Sequence, residues 1–377
     1  MLYLDHAATT PLRPEAWEAM ARFRDTYGNP SGVHRVSRAA KNELEEARER
    51  AAALLGAERS SEIIFTGGGT EADNLAVTGV ALAGDRPGHV IVSDVEHKAV
   101  LESARFVARL GGRVTGVPVD RYGVVEPTRV AAAVTDATSV VSVMLANNET
   151  GSLQPVQEIA TAVHAANPAA LVHTDAVQAF ISEPVDVSAL GVDLLSLAAH
   201  KFGGPKGVGL LYLREGIRLE PILHGGSQEM GRRAGTQNPM GAAGMVAAME
   251  VSVADRPAFR ERVGGTRDDF ERRLAAALPG LRVNGARRSR LVQHSHLGFP
   301  GHTSETLLIQ FDQVGLAAAA GSACQSGAIE VSHVLAAMGM NDEEAAESVR
   351  FSFGWTSTAA DAELAAKIVI DIAGDRL

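Results

Sequence analysis

Two reactive side chains stand 26 residues apart, each closing its own apolar run: Asp175 ends Leu171-Val-His-Thr-Asp175 and Lys201 ends Asp193-Leu-Leu-Ser-Leu-Ala-Ala-His-Lys201. An amine held at the end of a strand and partly stripped of water gives up its proton readily and can condense with a carbonyl group. A carboxylate in the matching place can pair with a protonated ring nitrogen. Between another apolar run and a helical pattern lies Thr66-Gly-Gly-Gly-Thr70, where exposed backbone N–H groups, Gly69 among them, and the Thr70 hydroxyl at a helix start suit a phosphate. Taken singly, these are equally a tight turn, a helix N-cap and a solvated charge. Together they meet the three needs of pyridoxal 5'-phosphate (PLP): an anchored phosphate, a protonated pyridine nitrogen and a covalently held aldehyde.

Further residues offer chemistry without settling it. Cys324 is the only cysteine of the chain and lies in Gly321-Ser-Ala-Cys-Gln-Ser-Gly327, after the apolar run 316–320. Structural cysteines are normally buried among apolar neighbours, so this setting is that of a mobile loop, carrying either a reactive thiol or a plain one. His97 opens a helical pattern in Val95-Glu-His-Lys-Ala99, either as a catalyst or as a helix-start histidine. Arg350 stands in the alternating run Val349-Arg-Phe-Ser-Phe353, where its fork could hold an amino-acid carboxylate or simply face water. Gly231-Arg-Arg-Ala-Gly-Thr236 reads equally well as a basic surface loop.

The elements that must position these groups alternate between short Val- and Ile-rich runs and helical patterns. Ala40, Leu44, Ala47, Ala51 and Leu54 recur on one face of a helix that Gly56 stops. Strands are expected over 62–66, 89–94, 113–119, 139–145 and 171–175, with helices from Thr70, His97 and Val156. The order predicts an α/β fold with a largely parallel sheet, and residues 193–201 and 208–213 predict an antiparallel pair within it. Two long helices are expected over 239–254 and 258–278, followed by mixed short elements, which places a domain boundary near residue 258.

Composition narrows the partners. The 377 residues carry 35 Lys+Arg against 45 Asp+Glu, a net charge of -10, which disfavours non-specific attraction to nucleic acid or an anionic bilayer. No apolar run approaches the ~20 residues of a membrane helix, and the first ten residues lack the marks of a secretory signal; a cytoplasmic protein is expected. One cysteine excludes an intramolecular disulfide and a zinc site built on several thiolates.

The ordered motifs Tyr3-Leu-Asp-His-Ala-Ala-Thr-Thr-Pro11, Gly28-Asn-Pro30, Thr70-Glu-Ala-Asp-Asn74, Glu96-His-Lys-Ala-Val100, Asn147-Asn-Glu-Thr-Gly151, Asp175-Ala-Val-Gln178, His200-Lys-Phe-Gly-Gly-Pro-Lys-Gly207, His224-Gly-Gly226, Arg233-Ala-Gly-Thr236, Gly321-Ser-Ala-Cys324 and Arg350-Phe-Ser-Phe353 resemble the cysteine desulfurases of the NifS/IscS group, in the class V aminotransferase family of PLP enzymes. The resemblance runs nearly end to end.

It implies a PLP-dependent transferase of fold type I. A large PLP-binding domain (13–257) with a mostly parallel, mixed seven-stranded sheet flanked by helices would join a smaller α+β domain (1–12 and 258–377) that carries the catalytic cysteine loop at about 320–330. It also implies a homodimer. Lys201 would hold the aldehyde, Asp175 the pyridinium nitrogen and Gln178 the ring hydroxyl, with His97 stacked on the ring and moving protons. Gly69, Thr70, His200 and Thr236 of a second copy would hold the phosphate. Asn148, beside the cofactor, and Arg350 would bind the carboxylate of L-cysteine. Cys324 would be the nucleophile that receives the sulfur as a persulfide, and alanine would leave. No resident metal is implied, although Cys324 could ligate a cluster transiently during transfer. The sulfur would go to an acceptor protein, whether an iron–sulfur scaffold, a tRNA-thiolating enzyme or a DNA sulfur-modifying system.

Two departures stand out. Relatives commonly have a serine where this chain has Ala198, so one hydroxyl contact to the phosphate is missing, a loss of about 1 kcal/mol. Leu377 follows closely on the last helical pattern, without the longer tail by which some relatives dock a scaffold. A selenocysteine lyase or related β-eliminating enzyme of the same family is the competing enzymatic reading. A non-catalytic assembly platform, the reading from another class, would show damage at the lysine, the ring-pairing acid or the thiol, and the sequence shows none.

Overall fold

Ten of the strands in the computed structural model, which describes residues 1–320 and 331–374, lie in two sheets, and the remaining two pair with each other. In chain order they are β1 (Leu2–Tyr3), β2 (Ile63–Thr66), β3 (His89–Ser93), β4 (Arg113–Val117), β5 (Thr138–Ser142), β6 (Leu171–Asp175), β7 (Leu194–Ala198), β8 (Gly209–Leu213), β9 (Arg282–Val283), β10 (His294–Gly298), β11 (Leu316–Ala317) and β12 (Ser348–Ser352). The large sheet has the order β2-β8-β7-β6-β5-β3-β4. Its inner pairs are parallel, and only β8 is reversed, being antiparallel to both β7 and β2. Every residue of β2, β3, β7 and β8 is buried, as required of strands covered by helices on both faces.

That topology decides where chemistry can happen. Because β2, β3, β5, β6 and β7 run the same way, their carboxyl ends emerge at one edge. The segments leading to Gly69, His97, Asn148, Asp175 and Lys201 therefore open onto common space. The helix Arg35–Leu55 buries Ala40, Leu44, Ala47, Ala51 and Leu55, and ends where Gly56 adopts φ +67. From the same helix Arg48 forks onto Glu229 at 2.6 and 2.9 Å. Glu229 also accepts from Gln237 at 2.6 Å, and so fixes the start of the loop that carries Arg233 and Thr236.

The two helices expected over 239–254 and 258–278 are one: Pro239–Ala277 is a continuous helix with Pro257 inside it. A proline removes one N–H and crowds the preceding turn, but Met245, Val246, Met249, Phe259, Val263, Phe270 and Leu274 are all buried along the helix, and packing on both sides of the proline outweighs the lost bond. The helix therefore runs straight across residue 258. At its far end Phe270 meets Phe351 and Phe353 with ring centroids 5.1 and 5.6 Å apart.

A smaller unit is built from both ends of the chain. β12, β10 and β9 form an antiparallel sheet, and β1 pairs in parallel with β11. Bridges Asp5↔Ser352 and Ala319↔Arg350 knit these strands together. The N-terminal segment is thereby laid between the small sheet and the open edge of the large one. The architecture is the α/β fold expected, a mixed seven-stranded sheet with flanking helices and a smaller companion.

Candidate active site

The cavity at the open sheet edge is lined by Gly69, Thr70, Asp73, His97, Met144, Asn148, Asp175, Val177, Gln178, Ala198, His200 and Lys201. Two roomier surface clefts lie elsewhere, and in each a buried acid is ion-paired: Glu229 with Arg48 in one, Asp193 with Arg214 and His164 in the other. The smaller cavity holds the unmatched chemistry.

Asp175 ends β6 and is buried, with Oδ1 accepting from the Val177 N–H at 2.9 Å. Loss of water raises its pKa, while His97, the Val177 N–H and Lys201 act in the opposite sense. Lys201 leaves β7 through one 3-10 turn, Ala199–Lys201. Its amine donates to the carbonyls of Ala7 at 2.6 Å and Ala8 at 3.0 Å. Burial first, then Arg350, lower its pKa to about 8, against smaller opposing effects of Asp175 and Asp5. Near neutrality an appreciable fraction of that amine is unprotonated and nucleophilic.

His97 caps the helix Lys98–Arg109, its Nδ1 accepting from Ala99 N at 3.2 Å. One ligand atom each of His97, Asp73 and Asp175 lies within 4.8 Å of the others, and desolvation lowers the imidazole pKa despite Asp175. Beneath it Glu96 is fully buried, accepting from Ser93 Oγ at 2.6 Å and Met144 N at 2.8 Å. Burial pushes its pKa up to about 8. His200 bonds Thr9 Oγ1 at 3.2 Å and is held neutral, its pKa lowered to about 4 chiefly by burial.

The lining fits PLP on this structure's own evidence of shape and charge. Gly69 starts the helical segment, and a Cβ there would come within 3.0 Å of Val177 and 3.2 Å of Ala198, so glycine keeps the wall open without displacing either neighbour. Asp175 is a buried carboxylate bonded only to a neutral N–H, a place that a pyridinium would complete. The lysine amine sits beside it. The Thr70 hydroxyl opens the same helix, while Ala198 contributes only a methyl group to the wall.

Eight of the nine residues expected around the cofactor line this one cavity: Gly69, Thr70, His97, Asn148, Asp175, Gln178, His200 and Lys201. The ninth, Thr236, is exposed and outside it. Its loop is tethered to the same helix, because Arg233 Nε bonds Glu71 Oε1 at 2.7 Å. Arg350 stands at the rim, 5% exposed, with Nη1 on the Asn148 carbonyl at 3.0 Å and Nη2 on Asp5 at 2.7 Å. Cys324 lies outside the described residues. Both sides of its segment end near one another: Ala319 pairs with Arg350, and Ser332 Oγ donates to buried Glu149 at 2.5 Å, the neighbour of Asn148.

The sequence reading gave no role at the cavity to Asp73, Glu149 or the N-terminal segment, which it placed in the smaller domain. Asp73 and Glu149 had a usable signal, being acids inside the motifs that also supply Thr70 and Asn148. The Ala7 carbonyl, which accepts from both Lys201 and Gln178 Nε2, had none, since a backbone acceptor carries no side-chain signature.

Residues 2–364 match the family Aminotransferase class-V. The chain belongs to this family. It is 45% identical over 362 residues to "Cysteine desulfurase IscS" of Dictyoglomus turgidum, covering 96% of this chain and 91% of that one. Among solved structures, a "NifS-like protein" superposes with a TM-score of 0.92 at 34% identity, covering 99% of both chains. "SspA in complex with cysteine" matches with a TM-score of 0.82 at 32% identity, over 94% of this class-V chain and 99% of its own.

Proposed function

We propose that this class-V family member is a PLP-dependent cysteine desulfurase, which takes sulfur from L-cysteine as a persulfide on Cys324, releases L-alanine and passes the sulfur to an acceptor protein. The observation that carries the reading is the convergence of Lys201 and Asp175, from adjacent parallel strands, on one cavity walled by Gly69. The similarity to desulfurases over nearly the whole chain, and to a structure holding cysteine, supports the choice of substrate.

Asp175 would pair with the ring nitrogen, Gln178 with the ring hydroxyl, and Gly69, Thr70 and His200 with the phosphate, while Lys201 holds the aldehyde. Bound there, the cofactor supplies a covalent handle for the substrate amine and a sink for the electrons of Cα. The residues do the rest. Arg350 and Asn148 seat the carboxylate, a bidentate fork fixing the orientation of Cα. Lys201 Nζ, its basicity tuned by burial, takes the α-proton and returns it to the substrate carbons. His97 steadies the ring and relays protons.

The Cys324 thiolate attacks the substrate sulfur, the Cβ–S bond breaks, its electron pair stays on carbon, and a proton added at Cβ completes alanine. In the sequence Cys324 follows by five positions Ala319, which pairs with Arg350. We further propose that the working unit is a homodimer in which Thr236, outside the cavity of its own subunit, serves the phosphate of the other copy.

The test is turnover. PLP-loaded protein given L-cysteine and a thiol reductant should release sulfide and alanine in equal amounts, and Cys324→Ser should lose this activity at least about a hundredfold. Full turnover by Cys324→Ser would sink the persulfide route. If that variant retained activity on selenocysteine alone, the lyase reading would replace it.

A further inference from the structure

Arg350 is a charge sunk into the protein, and in this structure it is already answered. Its Nη2 bonds Asp5 Oδ1 at 2.7 Å, its Nη1 bonds the Asn148 carbonyl at 3.0 Å, and its buried Nε has no partner among the described residues. Among the described residues Asp5 is the only carboxylate in ion-pair contact with it. Of the other groups packed around Arg350, His294 and His296 are buried and kept neutral, and Glu149, whose pKa burial raises, is hydrogen-bonded to Ser332 and feels the guanidinium only from beyond ion-pair contact.

Asp5 is also firmly placed. The bridge to Ser352 fixes its backbone, and its carbonyl accepts from the Tyr3 hydroxyl at 3.0 Å. The carboxylate is therefore built into the rim.

We propose that Asp5 is a specificity-determining residue that sets how tightly a substrate carboxylate is held: it is the resting counter-ion of Arg350, and an incoming carboxylate must share the guanidinium with it. The inference rests on the reading of Arg350 as the carboxylate receptor. The guanidinium carries five N–H donors, of which Asp5 and the Asn148 carbonyl take one each, so the substrate adds to the pair rather than replacing Asp5. Two carboxylates then lie on one guanidinium and repel each other, which weakens the hold on substrate and on the carboxylate product alike.

The chemistry of the side chain separates charge from orientation. Asp5→Asn keeps an oxygen that accepts from Nη2 and removes only the charge; Asp5→Ala removes both. At full cofactor loading, Asp5→Asn should lower KM for L-cysteine by about fivefold or more, with kcat nearly unchanged, the pattern of binding strengthened equally in ground and transition states. The inhibition constant of propionate, a carboxylate without an amine, should fall by the same factor. Asp5→Ala, which lets the guanidinium drift, should bind propionate more weakly than Asp5→Asn does.

If Asp5→Asn leaves both constants unchanged or raises them while Arg350→Lys raises them, Asp5 has no such role and the receptor stands. If Arg350→Lys leaves them unchanged as well, the receptor reading itself fails. Should Asp5→Asn prove insoluble, Asp5→Ser removes the same charge, and the same two constants decide.

Discussion

On the floor of the cavity Asp73 and Asp175, with His173 on the same strand as Asp175, are buried, and their hydrogen bonds go to neutral groups such as the Val177 N–H and the hydroxyls of Ser142 and Ser196. On its rim Arg350 is paired with Asp5, and the Lys201 amine reaches two backbone carbonyls. The two regions face one cavity and prepare for different guests. The floor, dry and lacking a cation in bonding range, is set up for a charged ring that stays. The rim, where the guanidinium is already paired, would under the proposed function receive a carboxylate that comes and goes. Desolvation governs protonation on the floor, whereas competition between ion pairs governs affinity at the rim.

The sharpest way to break this contrast acts on the residue that joins the two regions. Lys201→Ala should abolish the visible absorption band of PLP-saturated protein and lower turnover by about a thousandfold or more. A retained band and turnover would mean that another amine holds the cofactor, and the floor would lose its defining member. A smaller effect reads the dryness directly. With the Lys201 pKa lowered to about 8 by burial, the neutral, nucleophilic amine is the minor form below that pH. The rate at which apoprotein captures PLP should therefore rise about tenfold per pH unit up to pH ~8 and then level off. His200, with its pKa lowered to about 4, is already neutral over this range and does not shape the profile. Rapid-mixing measurement of the visible band gives the midpoint; a value near 10 would show the amine to be solvated.

The floor was legible in the sequence, whereas at the rim Arg350 was legible and its pairing with Asp5 was not, for a physical reason. Asp175, Lys201 and Gly69 each follow a run of apolar residues with strand character, and parallel strands deliver their ends to one edge. Type and position along the chain thus imply position in space. The antiparallel β7–β8 pair was legible for the same reason, from the Gly- and Pro-rich turn between two apolar runs. The rim is assembled by pairings between residues more than 300 positions apart, such as Asp5 with Ser352 and Arg350, which no local pattern encodes. The helix Pro239–Ala277 misled in the opposite direction: Pro257 is a strong local stop, and only burial on both sides of it, a tertiary property, overrules it. Asp73 carried a signal, as an acid inside the motif that supplies Thr70, but what makes it matter is what surrounds it in space.

Asp73 gives the most delicate test of the floor. It shares with Asp175 and His97 a cluster in which the ligand atoms lie within 4.8 Å of one another, and its Oδ1 is buried with no hydrogen-bond partner. Burial, then the neighbouring Asp175, raises its pKa well above the ordinary carboxylate value. Two carboxylates this close in a dry site cannot both ionise cheaply. Asp175 is the one that a pyridinium would pull into the charged form, which leaves Asp73, its pKa raised by burial and by Asp175, as the group that favours its proton and would serve as a neutral wall. Asparagine is then a near copy of the side chain as it stands, with the same shape, one donor and one acceptor. Asp73→Asn should change PLP affinity and kcat by less than about threefold, within the small net worth of a neutral hydrogen bond, whereas Asp73→Ala opens a cavity and should weaken both further. A loss of PLP affinity beyond tenfold in Asp73→Asn, measured by equilibrium titration of the apoprotein, would mean that the floor carries two anions and that charge, not dryness, holds the ring.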